Sequence, residues 1–254
     1  MYREEFSAAA NSAAGKVKLL KTNPIGYFLL SMLAGMYVGF GVLLVFTLSG
    51  SLEGAPYTKL VMGCCFGVAL SLVVMAGAEL FTGNNLVMAA GMLRKTVSLK
   101  EAGTLWAVCW LGNLAGSVLL ALVYQATGLY AGDTLAAMTG AAASKMTAGF
   151  AALFARGMLC NMLVCLAVWC GIRAKSEAGT LIMIFWCILA FFATGFEHSV
   201  ANMTLLTLSL LNSGGSEAIT FGGYCFNLVV VSLGNMAGGI LFVALPYSVA
   251  ACEK

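Results

Sequence analysis

Two short stretches decide the fold: Glu79-Leu80-Phe81-Thr82-Gly83-Asn84 and Glu197-His198-Ser199-Val200-Ala201-Asn202. Each opens with glutamate, closes with asparagine, and interrupts an apolar run, Leu60 to Leu93 and Thr180 to Leu211, that is too long for one simple span of about 20 residues. A second pair of strings matches as well, Leu111-Gly112-Asn113-Leu114-Ala115-Gly116 against Leu233-Gly234-Asn235-Met236-Ala237-Gly238. The copies lie 118 (79 to 197) and 122 (112 to 234) positions apart, which is an internal duplication of a three-helix unit. An odd number of helices per unit makes the second copy enter the membrane from the opposite side, so the halves are inverted and their breaks meet near the midplane.

Composition places the chain in a bilayer. Of 254 residues, 61% are hydrophobic and 9% charged, against about 25% charged in soluble domains. Six runs reach spanning length: Ile25 to Leu48, Leu60 to Leu93, Ala102 to Tyr124, Phe150 to Ile172, Thr180 to Leu211 and Phe221 to Leu245. Pro24 starts the first and Pro246 ends the last. The expected organisation is a single transmembrane domain over 1–254, with a cytoplasmic N-terminal segment at 1–24, a first repeat at 25–124 and a second at 150–250.

Lysine and arginine test this layout, because cytoplasmic loops carry their excess. With the N-terminus inside, Arg3, Lys16, Lys18, Lys21, Arg94, Lys95, Lys100, Arg173, Lys175 and Lys254 are cytoplasmic, ten of the 13. Lys59 and Lys145 fall outside and Arg156 falls within the fourth helix. Both termini are therefore expected in the cytoplasm, with no secretory signal preceding the first run. The nine cysteines lie almost entirely inside apolar runs without ligand-like spacing, and read as small packing residues rather than a metal site. Four GxxxG patterns (Gly35/Gly39, Gly63/Gly67, Gly112/Gly116, Gly234/Gly238) call for close helix approach, within one subunit or between subunits.

Backbone freed from helical hydrogen bonds cannot face lipid, so the two broken helices must line a protein-enclosed or watery path. Their half-helix N-termini suit a negative or hydrogen-bond-accepting solute. His198 is the sole histidine and sits in the second break, the place for a side chain that gives or takes a proton. Glu79 and Glu197 occupy equivalent positions and are expected to do structural work, accepting hydrogen bonds from the broken backbone or pairing with a buried cation. Arg156 is the expected buried cation. Lys145, before the fourth helix, is either a solvated loop lysine or a cation that concentrates anions at an entrance.

The strings AELFTGNN, NMLVCLAVW, GFEHSVANM and LGNMAGG together resemble the formate/nitrite transporter family of bacterial anion channels, and the resemblance spans nearly the whole chain. It implies an all-α, aquaporin-like protomer of six transmembrane helices, assembled as a homopentamer in the bacterial inner membrane with one pore per subunit. On the matching positions it implies a central pore histidine at His198 with a companion threonine at Thr82, and gating at the Thr82 loop. It further implies one apolar constriction at Leu80, Phe81 and Val164 and another at Phe66 and Phe191, a vestibule lysine at Lys145, and pore asparagines at Asn161 and Asn235. These residues are shared among formate, nitrite and hydrosulfide members; likeness to the cysteine-rich clostridial-type members points to hydrosulfide.

A bare anion does not cross a greasy slit, because desolvation in a low dielectric is prohibitive. Either His198 protonates the anion so that a neutral acid crosses, or the solute stays anionic, held by Thr82, His198 and helix dipoles. The alternative function is a neutral-solute channel of the water, glycerol or ammonia type, although the Asn-Pro-Ala pair of aquaporins is absent and one histidine is too few for a twin-histidine ammonium pore. An intramembrane serine protease is not expected, since Ser199 is adjacent to His198 and no GxSG string exists. No cofactor, metal or nucleic-acid motif is present in the sequence.

Overall fold

A computed structural model of the chain describes residues 2–252; Lys254, counted above among the cytoplasmic cations, lies outside the described residues. Among the described residues the secondary structure is helical throughout. Six helices are long and apolar enough to cross a membrane: α2 (Pro24–Ser51), α3 (Thr58–Ala76), α5 (Leu99–Ala126), α7 (Phe150–Arg173), α8 (Glu177–Thr194) and α10 (Phe221–Gly239), the last extended to Ala250. Two half-length helices, α4 (Phe81–Leu93) and α9 (Ser199–Leu211), follow α3 and α8 after the non-helical residues 77–80 and 195–198. The two long runs are thus broken helices, α3/α4 and α8/α9, with the glutamates in the breaks.

Both breaks begin the same way. Gly77 (φ 76°) and Gly195 (φ 78°) close α3 and α8 in the left-handed conformation, which a side chain would strain. The chain then runs extended through Leu80 and His198, the N-caps of α4 and α9.

The halves are built alike, with α2 packed on α5 and α7 packed on α10. Gly116 sits against the Met32 carbonyl and Gly238 against the Met158 carbonyl, positions where a Cβ would collide with backbone. Glycines of all four GxxxG patterns meet atoms of the same chain, so the patterns serve packing within one subunit.

Two further helices flank this frame. α6 (Gly132–Met146) joins the halves and ends at Lys145 and Met146. α1 (Arg3–Thr22) buries Phe6, Ala9, Ala10, Ala13 and Val17, a three-to-four spacing that lays one face on α4. Residues Arg3–Thr22 therefore form an amphipathic helix docked on the transmembrane frame.

Pro246 does not end the last span. A π-helical segment (Ile240–Ala244) precedes it and the helix resumes as α11 (Leu245–Ala250). Proline lacks the N–H that closes an ordinary turn and its ring crowds the carbonyl four residues back; the wider turn before it absorbs both defects.

Candidate functional site

Each break exposes backbone groups that water cannot reach, and one asparagine satisfies two of them while tying them to a carbonyl of a neighbouring helix, α2 or α7. Asn113 Oδ1 accepts the Phe81 N–H (2.9 Å) while its Nδ2 donates to the carbonyls of Ser31 (2.8 Å) and Glu79 (2.9 Å). Asn235 Oδ1 accepts the Ser199 N–H (3.0 Å) while its Nδ2 donates to Gly157 (2.8 Å) and Glu197 (2.9 Å). Both asparagines are fully buried, where each orphaned group would cost about 1–3 kcal/mol. The break N–H groups of Glu79 and Glu197 donate in turn to the carbonyls of Leu30 on α2 and Arg156 on α7.

The carboxylates repeat the pattern. Glu79 accepts from Lys16 Nζ (2.6 Å), Asn84 Nδ2 (3.0 Å) and Tyr27 Oη (3.2 Å). Glu197 accepts from Lys145 Nζ (2.6 Å) and Asn202 Nδ2 (2.7 Å), and Asn202 is held by Asn227, whose own amide donates to the Lys145 carbonyl. Buried carboxylates, 7% and 3% exposed, are thus each matched by a lysine and an asparagine. The expected cation Arg156 is not the partner: its side chain is exposed, and it contributes only its backbone carbonyl, to the Glu197 N–H.

Cavities trace a path past these groups. A wide vestibule of about 820 Å³ is bordered by Lys145, Lys59, Phe66, Phe191, His198 and Asn202. Behind the Phe66–Phe191 pair, ring centroids 5.9 Å apart and edge-on, lies a chamber of about 10 Å³ walled by Val38, Leu70, Leu80, Val164, Ile188 and His198. That is room for about one water. Beyond Leu80, a third cavity of about 320 Å³ is bordered by Lys16, Glu79, Asn84 and Val168. The path is apolar at two levels, with a lysine bordering each outer cavity, each paired to a buried glutamate, and one polar ring in the middle.

The polar ring is held at both nitrogens. His198 caps α9, its Nδ1 accepting the Ala201 N–H (3.1 Å), so the neutral ring carries its proton on Nε2, 3.1 Å from Thr82 Oγ1. Phe191 stacks on it at 6.0 Å and 21°. A second proton on Nδ1 would break the cap bond and set a cation at the positive end of α9.

Of the expected site residues, His198, Leu80, Val164, Phe66, Phe191 and Lys145 border this path. Phe81 is buried but borders none of these cavities. Thr82 touches the path only through His198; it lies fully buried in the first turn of α4, just after the non-helical residues 77–80. Asn161 and Asn235 border none of these cavities and bind backbone instead. The sequence reading missed Lys16, Tyr27 and Asn227. The buried-face spacing of 6–17 was the available signal for Lys16; nothing in the sequence singles out the other two. Two cysteines also do more than fill space, Cys109 Sγ donating to the Glu79 carbonyl (3.2 Å) and Cys165 Sγ to that of Thr82 (3.5 Å).

Comparison with known proteins agrees with this architecture. The family model described as formate/nitrite transporter matches residues 3–249. The chain is 44% identical over 252 residues to the nitrite transporter NirC of Salmonella typhimurium, covering 97% of this chain and 91% of that protein. It is 40% identical to a probable formate transporter of Methanothermobacter thermautotrophicus, covering 95% and 94%. Among solved structures it superposes on an FNT family ion channel with a TM-score of 0.92 at 42% identity, covering 97% and 98%. It also superposes on a pentameric formate channel with formate bound, with a TM-score of 0.82 at 28% identity, covering 92% and 99%. These are transport proteins and not enzymes, and with its inverted repeat, two broken helices and six apolar spans the chain belongs to the formate/nitrite transporter family.

Proposed function

We propose that this chain conducts small monovalent anions, nitrite and formate first among them, through a pore in each subunit of a homopentamer in the bacterial inner membrane, both termini cytoplasmic. The observation that carries this reading is the one-water chamber at His198, closed by Phe66 with Phe191 on one side and Leu80 with Val164 on the other, between two lysine-bearing vestibules. Lys145 raises the local anion concentration in the larger vestibule, although its pairing with Glu197 makes that field a dipole rather than a free positive charge. The apolar slits admit only a solute that has shed its water and its bare charge, which selects small weak acids and their anions.

At the centre His198 acts as a hydrogen-bond donor. With Nδ1 engaged by the Ala201 N–H, Nε2–H is the ring's one donor, and it turns from Thr82 to the solute while the Thr82 hydroxyl supplies a second. This favours stabilisation over proton relay: a relay would need a second ring proton at the nitrogen that caps α9. Glu79 and Glu197 are structural charges in this reading.

Relatives named as nitrite and formate transporters favour those two anions over hydrosulfide. Stopped-flow uptake of nitrite, formate and hydrosulfide into proteoliposomes, each at two pH values, tests the assignment. Fast nitrite or formate uptake supports it, a strong hydrosulfide preference would move the protein to sulfide transport, and no uptake of any of the three would leave the neutral-solute channel.

A further inference from the structure

We propose that Asn161 is a positioning residue: it sets the Thr82–His198 contact by tying the two breaks together, and does not touch the solute. The proposal rests on the central role given above to His198 and Thr82.

Thr82 belongs to the first half and His198 to the second, so their 3.1 Å contact crosses the boundary between halves. Asn161, on α7 and fully buried, spans the same boundary from behind. Its Nδ2 donates to the Thr82 carbonyl (3.2 Å) and to the Asn235 carbonyl (2.7 Å). Asn235 in turn holds the Glu197 carbonyl and the Ser199 N–H, the groups on either side of His198. A closed ring of hydrogen bonds therefore runs Thr82, Asn161, Asn235, the 197–199 backbone, His198 and back to Thr82. Cys165, one turn along α7, adds a second donor to the same Thr82 carbonyl.

The other end of the Asn161 amide says what the residue is for. Its Oδ1 is buried and has no hydrogen-bond partner among the described residues. A leucine would fill the same volume without that uncompensated oxygen, so the asparagine is explained by the two bonds its nitrogen makes and not by packing. Because Asn161 borders none of the path cavities, those bonds act on the solute only through Thr82 and His198.

A double-mutant cycle on nitrite uptake by pentamer checked by size exclusion reads this directly. Asn161→Leu alone is expected to slow uptake about tenfold. In a Thr82→Val background it should change uptake by less than about twofold, because both substitutions break one contact. If Thr82→Val lowers uptake and Asn161→Leu still adds its full factor, or if Asn161→Leu alone has no effect, this inference fails and the functional reading stands. If Thr82→Val alone leaves uptake unchanged, the functional reading fails first and takes the inference with it. Should Asn161→Leu not assemble, the cysteine carries the test: Cys165→Ala should slow uptake and Cys165→Ser, which keeps a donor, should recover most of it, whereas equal rates for the two would overturn the proposal.

Discussion

After its glutamate the first break carries a leucine, Leu80, whereas the second carries His198 at the equivalent place; two positions further on stand Thr82 and Val200. Around these differences the breaks are copies. Each has a left-handed glycine, a glutamate paired to a lysine, an asparagine five residues on that binds the glutamate, and a fully buried asparagine that bonds to three backbone groups. What repeats is what any interruption of a helix at membrane depth requires. What does not repeat meets at the centre of the path, where Leu80 walls the chamber, His198 faces into it, and Thr82 reaches across to His198.

The supporting cations also differ in origin. Lys16 comes from α1, a peripheral helix laid on α4, and Lys145 from α6, which links the halves. The third group at each carboxylate differs as well, Tyr27 at one and Asn227, through Asn202, at the other.

Removing a repeated element should hurt both halves alike and most severely. Asn113→Leu and Asn235→Leu each strip the asparagine's bonds from two break backbone groups, a loss of roughly 2–6 kcal/mol at about 1–3 kcal/mol per group. Loss of assembled protein on extraction, or a large drop in thermal midpoint, should be seen for both; a mild effect at one alone would break the symmetry. The lysines come next. Lys145→Ala and Lys16→Ala leave a buried glutamate short of its cation, and about 2 kcal/mol is expected, below the 3–5 kcal/mol of a fully buried pair because each lysine borders a vestibule. Differential scanning fluorimetry should rank Lys145→Ala the more damaging, since Glu197 has only Asn202 left whereas Glu79 keeps Asn84 and Tyr27. Tyr27→Phe removes one donor from Glu79 and should cost about 1 kcal/mol in the same assay. Smallest is Lys21→Ala: its partner Glu101 is a solvent-exposed capping-box residue that stays bonded to Ser98, and the midpoint should not move measurably.

Much of this was legible in the sequence, because hydropathy and the Glu-to-Asn spacing report directly on lipid-facing length and on interruption. The six spans, both breaks and the inversion follow from those two signals. Helix phase and the facing of individual side chains are not carried by those signals. Arg156 lies in a spanning helix and so looked like a buried cation, yet it falls on the exposed face of α7 while Lys145 reaches Glu197 from another helix. Asn161 and Asn235 were expected in the pore from the family resemblance, which matches positions but does not say whether an asparagine faces a cavity or a broken backbone. Hydropathy is likewise silent on α1, whose alanine-rich face buries too little apolar surface to register. At Pro246 a local rule was right about the defect and wrong about the remedy, since a π turn carried the helix through.

The central claim is that His198 serves the solute as a hydrogen-bond donor while its other nitrogen caps α9. Nitrite uptake with an internal pH dye, comparing His198→Gln with His198→Leu in proteoliposomes, tests it most directly. Glutamine keeps an N–H near the Nε2 position but offers no ring to shuttle a proton, and leucine makes the second break match the first. Measurable uptake in His198→Gln with none in His198→Leu is the expected result; a glutamine variant as inactive as leucine, both folded and pentameric, would contradict the account and require the ring to pass a proton.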